Sequence, residues 1–417
     1  MTDRAQDLAA FVSASPTPYH AVAEGVRRLT AAGFTEQVET AEFDPIPRGS
    51  TGRYLVRDGT LLAWRQQDTA APLRIFAAHT DSPTLKVKPR PDTGAAGWRQ
   101  VGVEIYGGAL WNSWLDRDLG LAGRLALYDG TVVPVHVDRP LLRVPQLAIH
   151  LDRQVNQGLE LDAQRHVLPI WGLGEAREGD LVEFLAAETG VAAADIAAHD
   201  LVVHDLTPPA RLGRDRELLA CPRLDNLASV HAGLDALIGA TDGATTPVFV
   251  GFDHEEIGSG SATGAAGPLL ETLLTHLAGG FDRRDRIFAA SRALSVDVTH
   301  AAHPNYLERH DPDHRSVPNG GPTLKVNANQ RYATDAPGAA AWHRACRSAG
   351  VPIQVFVGKN TVPCGTTVGP LVATRLGIRT VDVGIPVLSM HSARELCGVD
   401  DPGHLAAAGA AFLADPT

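Results

Sequence analysis

Cysteine is scarce in this chain, and methionine scarcer still. Its 417 residues include four Cys and two Met. Cys221, Cys346, Cys364 and Cys397 form no CxxC pair, and four thiols in so long a chain do not read as a disulfide framework but predict reduced thiols. No apolar run approaches the ~18 residues needed for a membrane-crossing helix. The first twenty residues, MTDRAQDLAAFVSASPTPYH, lack the apolar centre of a signal peptide. Basic residues are in deficit, with 37 Lys and Arg against 48 Asp and Glu and a formal net charge of -11. That balance argues against nucleic acid or an anionic membrane as a partner. The expectation is a soluble, cytoplasmic protein. Its length allows two or three domains, or one large domain with an insertion.

Apolar residues make up 44 % of the chain, and they fall in patterned blocks. Residues 7–32 read as an amphipathic helix interrupted by Ser15-Pro16-Thr17-Pro18. Short apolar runs then end in polar residues. LRIFAA (73–78) leads into His79-Thr80-Asp81, and PVFVGF (247–252) into Asp253-His254-Glu255-Glu256. ALSV (293–296) leads into Asp297, and TVDV (380–383) precedes the loop carrying His391. Near-continuous apolar strands predict a sheet buried on both faces by helices. Covering helices are expected at 225–240, 267–278 and 336–349, the first with Asp225 as its N-cap. The middle of the chain changes character. RLALY, Asp129-Gly130 and TVVPVHV read as a hairpin with a two-residue type I′ turn. One helix is expected near 178–189, and Pro208-Pro209 marks the exit. The predicted fold is α/β: a mixed sheet covered by helices, formed by 1–87 and 216–417, with a β-rich domain inserted at 88–215.

The polar residues that end these strands are metal-ligand types. In open α/β sheets, ligands sit beyond the carboxyl ends of the strands. His79 and Asp81 form a His-x-Asp pair, in which a carboxylate can fix the tautomer of a metal-bound imidazole. Glu255-Glu256 can diverge, one towards metal and one towards substrate. Asp225, Asp297 and His391 complete a mixed oxygen and nitrogen set suited to zinc, and a carboxylate can bridge two ions ~3.5–4 Å apart. Read singly, Asp225 is a helix cap, His391 a loop histidine and Glu255-Glu256 a solvated pair. Their shared position at strand ends joins them.

Ten ordered blocks resemble the aspartyl aminopeptidases, a family of two-zinc metallopeptidases, nearly end to end. They are SPTPYHAV (15–22), AAHTDSPTLKVKP (77–89), YGGALWNSWLDRDLGLAGR (106–124), RPLLRVPQLAIHLDRQVN (139–156), CPRLDN (221–226), FDHEEIGS (252–259), SVDVTHAAHPNY (295–306), GGPTLKVNANQRYAT (320–334), PCGTTVGP (363–370) and LSMHSARE (388–395). The resemblance implies a zinc peptidase domain with an inserted β-rich dimerisation domain, assembled from dimers into a tetrahedral homo-dodecamer. It implies two zinc ions per subunit, with other divalent metals able to substitute. Asp225 would bridge, His79 and Asp297 would hold one ion, and Glu256 and His391 the other. Glu255 would be the general base, and Asp81 would orient His79. His300, Lys325 and Tyr332 match substrate contacts, and His150, at the end of the strand-like apolar run QLAI (146–149), matches a histidine that enters a neighbouring subunit's site. The implied substrates are peptides with an unblocked N-terminal Asp or Glu.

The chain departs from the family just before PCGTT. There the family usually has an Arg and an Asp, and here stand Lys359-Asn360-Thr361-Val362. A lysine cannot reproduce a bidentate guanidinium contact. Rival readings are another two-metal hydrolase, such as a glutamyl or leucyl aminopeptidase, a carboxypeptidase or a deacylase, and a non-catalytic scaffold on a peptidase fold. The scaffold reading predicts a missing ligand or base, and none is missing. His254, His303, His310 and His314 are expected in structural or surface roles, and Trp111 and Trp114 as core or interface anchors. Nothing pairs with Cys364 to make it a nucleophile. Gly258, Gly260 and Gly264 lack the Gly-Lys-Ser/Thr ending of a phosphate loop.

Overall fold

A computed structural model describes residues 3–43, 46, 50–65, 71–240 and 243–416. It divides the chain into two units. One comprises Met1–Asp81, Pro209–Met390 and Glu395–Thr417, and the other Ser82–Pro208 with His391–Arg394. The sequence placed the inserted segment at 88–215 and did not anticipate that four residues beyond 390 join it.

The first unit is built on a nine-stranded mixed sheet. At its centre Thr246–Phe252, Leu73–His79, Arg292–Val296 and Arg379–Gly384 run parallel. These are the four apolar runs read from the sequence. Alternation explains their complete burial. Phe76, Ala78 and Phe249 point into one apolar core, while Leu73, Ile75, Ala77, Val248, Val250 and Phe252 point into another. Successive strand side chains face opposite sides, so a strand with helices on both faces must be apolar throughout.

Helix Leu224–Ile238 covers one face with Leu227, Val230, Leu234 and Leu237. A side chain at Gly233 would lie within 2.7 Å of both Phe76 and Phe249, so glycine lets this helix approach the sheet closely. Helices Ala336–Ala349 and Asp401–Ala414 share that layer, and Leu269–Leu277 and Val368–Leu376 cover the other. The N-terminal helical stretch is broken as expected, into Arg4–Ser13 and Pro18–Ala31. A five-stranded sheet completes the unit, running from Ala210–Leu212 to Thr299–His300.

The second unit carries a six-stranded antiparallel sheet with helix Asp180–Thr189 against its apolar core. Trp114 is buried in that core. Two expectations need correction here. Among the turn residues only Gly130 takes a positive φ, of 89°. Gly130 N–H donates to Leu127 O and Leu127 N–H to Thr131 O. The turn is therefore a three-residue loop ending in a left-handed glycine, and not type I′, which needs positive φ at both central positions. The QLAI run is not a strand. Residues 145–148 are irregular, and Leu147, Ile149 and Leu151 are exposed.

Candidate metal centre

The parallel strands deliver their polar termini to one edge. His79 closes its strand opposite Phe252, and Asp297 follows Val296 on the adjacent strand. Asp297 N–H donates to Val383 O at 3.0 Å, and its carbonyl lies so close to Gly384 that any side chain there would collide with it.

Asp225 reaches the same edge by a route the sequence misread. The residue preceding the helix is Arg223, at φ 54°, and Asp225 sits inside the first turn with extended backbone, φ -80° and ψ 102°. Asp225 is therefore not the N-cap. Its N–H donates to Glu395 Oε2 at 2.9 Å, and Asn226 Nδ2 donates to Val296 O at 2.8 Å. These contacts hold the turn out of helical geometry and carry the Asp225 carboxylate towards His79, whose Nε2 lies 3.2 Å from Asp225 Oδ1.

The imidazole of His79 is the hub. Its Nε2 also lies 3.7 Å from Asp297 Oδ1 and 3.8 Å from Glu255 Oε2. On the other side Nδ1 faces Asp81, 3.1 Å from its carbonyl and 3.2 Å from Oδ1. Asp81 also accepts the backbone N–H groups of Glu255 and Glu256, at 3.1 Å each. Those N–H groups belong to the short turn Glu255–Ile257, flanked by His254 at φ 64° and Gly258 at φ 95°. One ligand atom from each of His79, Asp225 and Glu256 lies within 4.8 Å of the others.

Charge is concentrated here. Burial pushes the Glu255 carboxyl up to about 7, with the charges of Asp297, Asp225 and Asp81 adding to the rise and His79 opposing it. Burial likewise drives Glu256 well above the usual carboxylate range, helped by Asp225. For His79, burial acts downwards, but hydrogen bonds with Asp225, Asp297 and Asp81 outweigh it and hold the imidazole well above its ordinary value. Groups that shift this way are short of positive charge. Imidazole and carboxylate donors converging in a buried, anionic pocket fit zinc in both chemistry and charge.

The residues expected to contact substrate gather nearby. Lys325 is 2 % exposed, with Nζ 3.9 Å from Asp297 Oδ2 and 5.3 Å from the centre of the Tyr332 ring. Tyr332 and His300 pack edge-on around Phe356. A cavity of about 450 Å³ is lined by Asn327, Lys359, Asn360, Val362 and Cys364, among others. Lys359 in this departing segment donates to Glu308 O at 2.6 Å.

The comparisons decide the family. A model of the aminopeptidase I zinc metalloproteases (M18) matches residues 11–413. The chain belongs to the M18 family. It is a zinc aminopeptidase of that family, which includes the aspartyl aminopeptidases. A probable M18 family aminopeptidase 2 from Streptomyces coelicolor is 58 % identical, covering 98 % of this chain and 96 % of its own. Among solved structures, the cryo-EM structure of an Ape4 and Nbr1 complex aligns with a TM-score of 0.94 and 35 % identity, over 99 % of this chain and 85 % of that one. The Saccharomyces cerevisiae mApe1 dodecamer aligns at 0.84 and 28 % identity, over 99 % and 95 %.

Two of the expected site residues belong to the second unit. His391 belongs to the second unit, where its Nδ1 lies 3.1 Å from Gly108 O and its carbonyl accepts Leu110 N–H. His150 is also in the second unit, exposed in a turn. His254 is turned to Ser261 and Thr263, and His303 and His310 pair with each other through the backbone, all structural arrangements. The sequence reading missed two buried acids. Glu395 receives Asp225 N–H, and Asp382 accepts Ala333 N–H and the Thr367 hydroxyl, tying down the segment that carries Tyr332. Asp382 had a detectable signal, an acid inside the apolar run TVDV.

Proposed function

We propose that this M18 aminopeptidase removes unblocked N-terminal Asp or Glu from peptides, using two zinc ions per subunit. The observation that carries the acidic preference is the buried ammonium of Lys325 beside Asp297. An ammonium held out of water next to metal ligands offers a substrate carboxylate a charge-assisted hydrogen bond. His300, at the same aromatic cluster, adds a second donor.

In this reading His79, Asp225, Glu256, Asp297 and His391 would hold the two ions. Bound zinc supplies Lewis acidity, lowering the pKa of water and polarising the scissile carbonyl. Glu255 accepts a proton from the attacking water and returns it to the leaving amine nitrogen. Asp81 keeps the His79 ring oriented and fixes the turn that carries Glu255. The subunits assemble as a homo-oligomer, a tetrahedral dodecamer built from dimers through the second unit, and His150 enters the neighbour's site. The exposed Leu147, Ile149 and Leu151 beside His150, and the dodecameric yeast relative, support that assembly. The absence of a disulfide among the four cysteines suits a cytoplasmic setting.

The test is hydrolysis of Asp-, Glu-, Leu- and Ala-anilides with and without a chelator. Asp and Glu substrates are expected to be cleaved fastest, and the chelator to abolish cleavage. A preference for Leu over Asp would refute the acidic specificity and leave the aminopeptidase intact.

A further inference from the structure

We propose that the second unit carries a separate binding site for a divalent transition metal of the zinc class, formed by His136, Asp138 and His204. These residues come from strands Val132–Leu142 and Ile196–Asp205, which flank strand Leu119–Leu127 in the six-stranded sheet. Alternation separates the two faces of that sheet. Leu119, Leu121, Val135, Val137, Leu201 and Val203 fill the apolar core. Residues of the other parity, including all three candidate ligands, therefore stand on the opposite face.

The register brings them together. His136 is opposite Ala122 and His204 opposite Gly120, two residues along the same middle strand. One ligand atom from each of His136, Asp138 and His204 lies within 4.8 Å of the others, and the two imidazole centroids are 5.4 Å apart. A middle strand would normally interpose a side chain between its neighbours. Gly120 does not, and a Cβ there would lie 2.5 Å from His204 Nε2. The missing side chain is what lets the imidazole of His204 lean across the strand.

Two imidazoles and one carboxylate are the donors of three-ligand zinc sites that keep a fourth position open. Access fits as well. His204 is 4 % exposed and anchors the site, while His136 and Asp138 are exposed and open to an arriving ion. A contrasting cluster lies in the first unit. Asp7, His231 and Asp235 also converge, but Arg28 and Arg4 already neutralise those acids, so that group is an ion-pair network and not a cation site. In the second unit a bound ion would tie together two strands that are not hydrogen-bonded to each other, across the one between them.

The experiment uses the full-length protein, equilibrated with zinc, freed of excess metal and assayed for zinc per subunit. His136→Ala and Asp138→Asn, both at exposed positions, should each hold one zinc fewer than wild type while cleaving aminoacyl anilides at the wild-type rate. This difference does not depend on how many ions the catalytic centre holds. Crystals grown with zinc should give an anomalous peak bounded by the three side chains in wild type and none in His136→Ala. Equal zinc content in wild type and both variants, or no peak at that position in wild type, would overturn the proposal.

Discussion

Asp81 holds Glu255 in place through the backbone, with its Oδ1 accepting the Glu255 N–H at 3.1 Å. The same carboxylate takes the Glu256 N–H on Oδ2 and faces His79 Nδ1. One buried acid thus sets the ring of one candidate ligand and the turn bearing a second candidate ligand and the candidate base. Asp81→Ala should lower zinc affinity roughly 10–100-fold, the range seen when a partner behind a metal ligand is removed. Turnover at saturating zinc should fall as well, because the turn loses its anchor. Chelator competition and steady-state kinetics measure the two. Wild-type zinc affinity in Asp81→Ala would sink this role.

Glu255→Gln keeps the shape of the side chain and removes the base. Zinc content should survive while kcat falls by at least ~10²-fold, the scale of general base catalysis. A matched loss of zinc would instead mark Glu255 as a ligand. The same variant tests the electrostatics of the metal-free protein. Burial raises the Glu255 carboxyl to about 7, above the usual glutamate range. The folded chain therefore binds this proton more tightly than the unfolded chain. Its contribution to stability is present below the ordinary glutamate pKa and is lost as pH rises through about 7. Glu256 and His79 are both raised and act in the same direction. Metal-stripped protein should thus show a Tm that falls between about pH 5 and about pH 8, with a shallower fall in Glu255→Gln. Zinc should reverse the trend, since it binds deprotonated ligands. A flat or rising Tm in the stripped wild type would contradict this account.

The sheet was legible because its four central strands are buried on both faces, and such strands must read as unbroken apolar runs. The converging side chains His79, Asp225 and Glu256 could be picked out because each follows one of those runs or opens the helix beside it. Other features depend on contacts that no local pattern reports. Asp225 reads as an N-cap, but its backbone inside the first turn is fixed by Glu395, 170 positions away, which takes its N–H. Asp129-Gly130 announces a turn without saying which residue adopts positive φ. QLAI is apolar enough for a strand but stays irregular and exposed. His136, Asp138 and His204 meet only because Gly120 on the strand between them has no side chain.

Lys325→Ala should weaken the preference for acidic N-termini about tenfold or more, since losing a charge-assisted hydrogen bond costs roughly 1.5–3 kcal/mol. The loss should fall on Asp- and Glu-anilides and spare Leu- and Ala-anilides. Because Lys325 is buried beside Asp297, the variant must also be checked for zinc content. An equal loss on all four substrates, with zinc retained, would assign Lys325 to the metal centre and not to specificity.

Activity should depend on assembly. The converging side chains His79, Asp225 and Glu256 all belong to the first unit, so an isolated subunit is expected to bind metal. His150 stands in the second unit, exposed, between the exposed Ile149 and Leu151. Apolar side chains held in water beside a histidine suit a surface that another subunit covers. Placed in a neighbour's active site, the imidazole could donate a hydrogen bond to the developing oxyanion, a contact worth ~2.7–4 kcal/mol in known enzymes. The alternative is that His150 serves only its own unit. Mixing separates the two. Glu255→Gln subunits and His150→Ala subunits should each be nearly inactive alone. Co-assembled, some sites would combine an intact Glu255 with an intact His150 from the adjoining subunit, and activity should partly return. Mixed oligomers that form, bind zinc and stay inactive would show that His150 does not act across the interface.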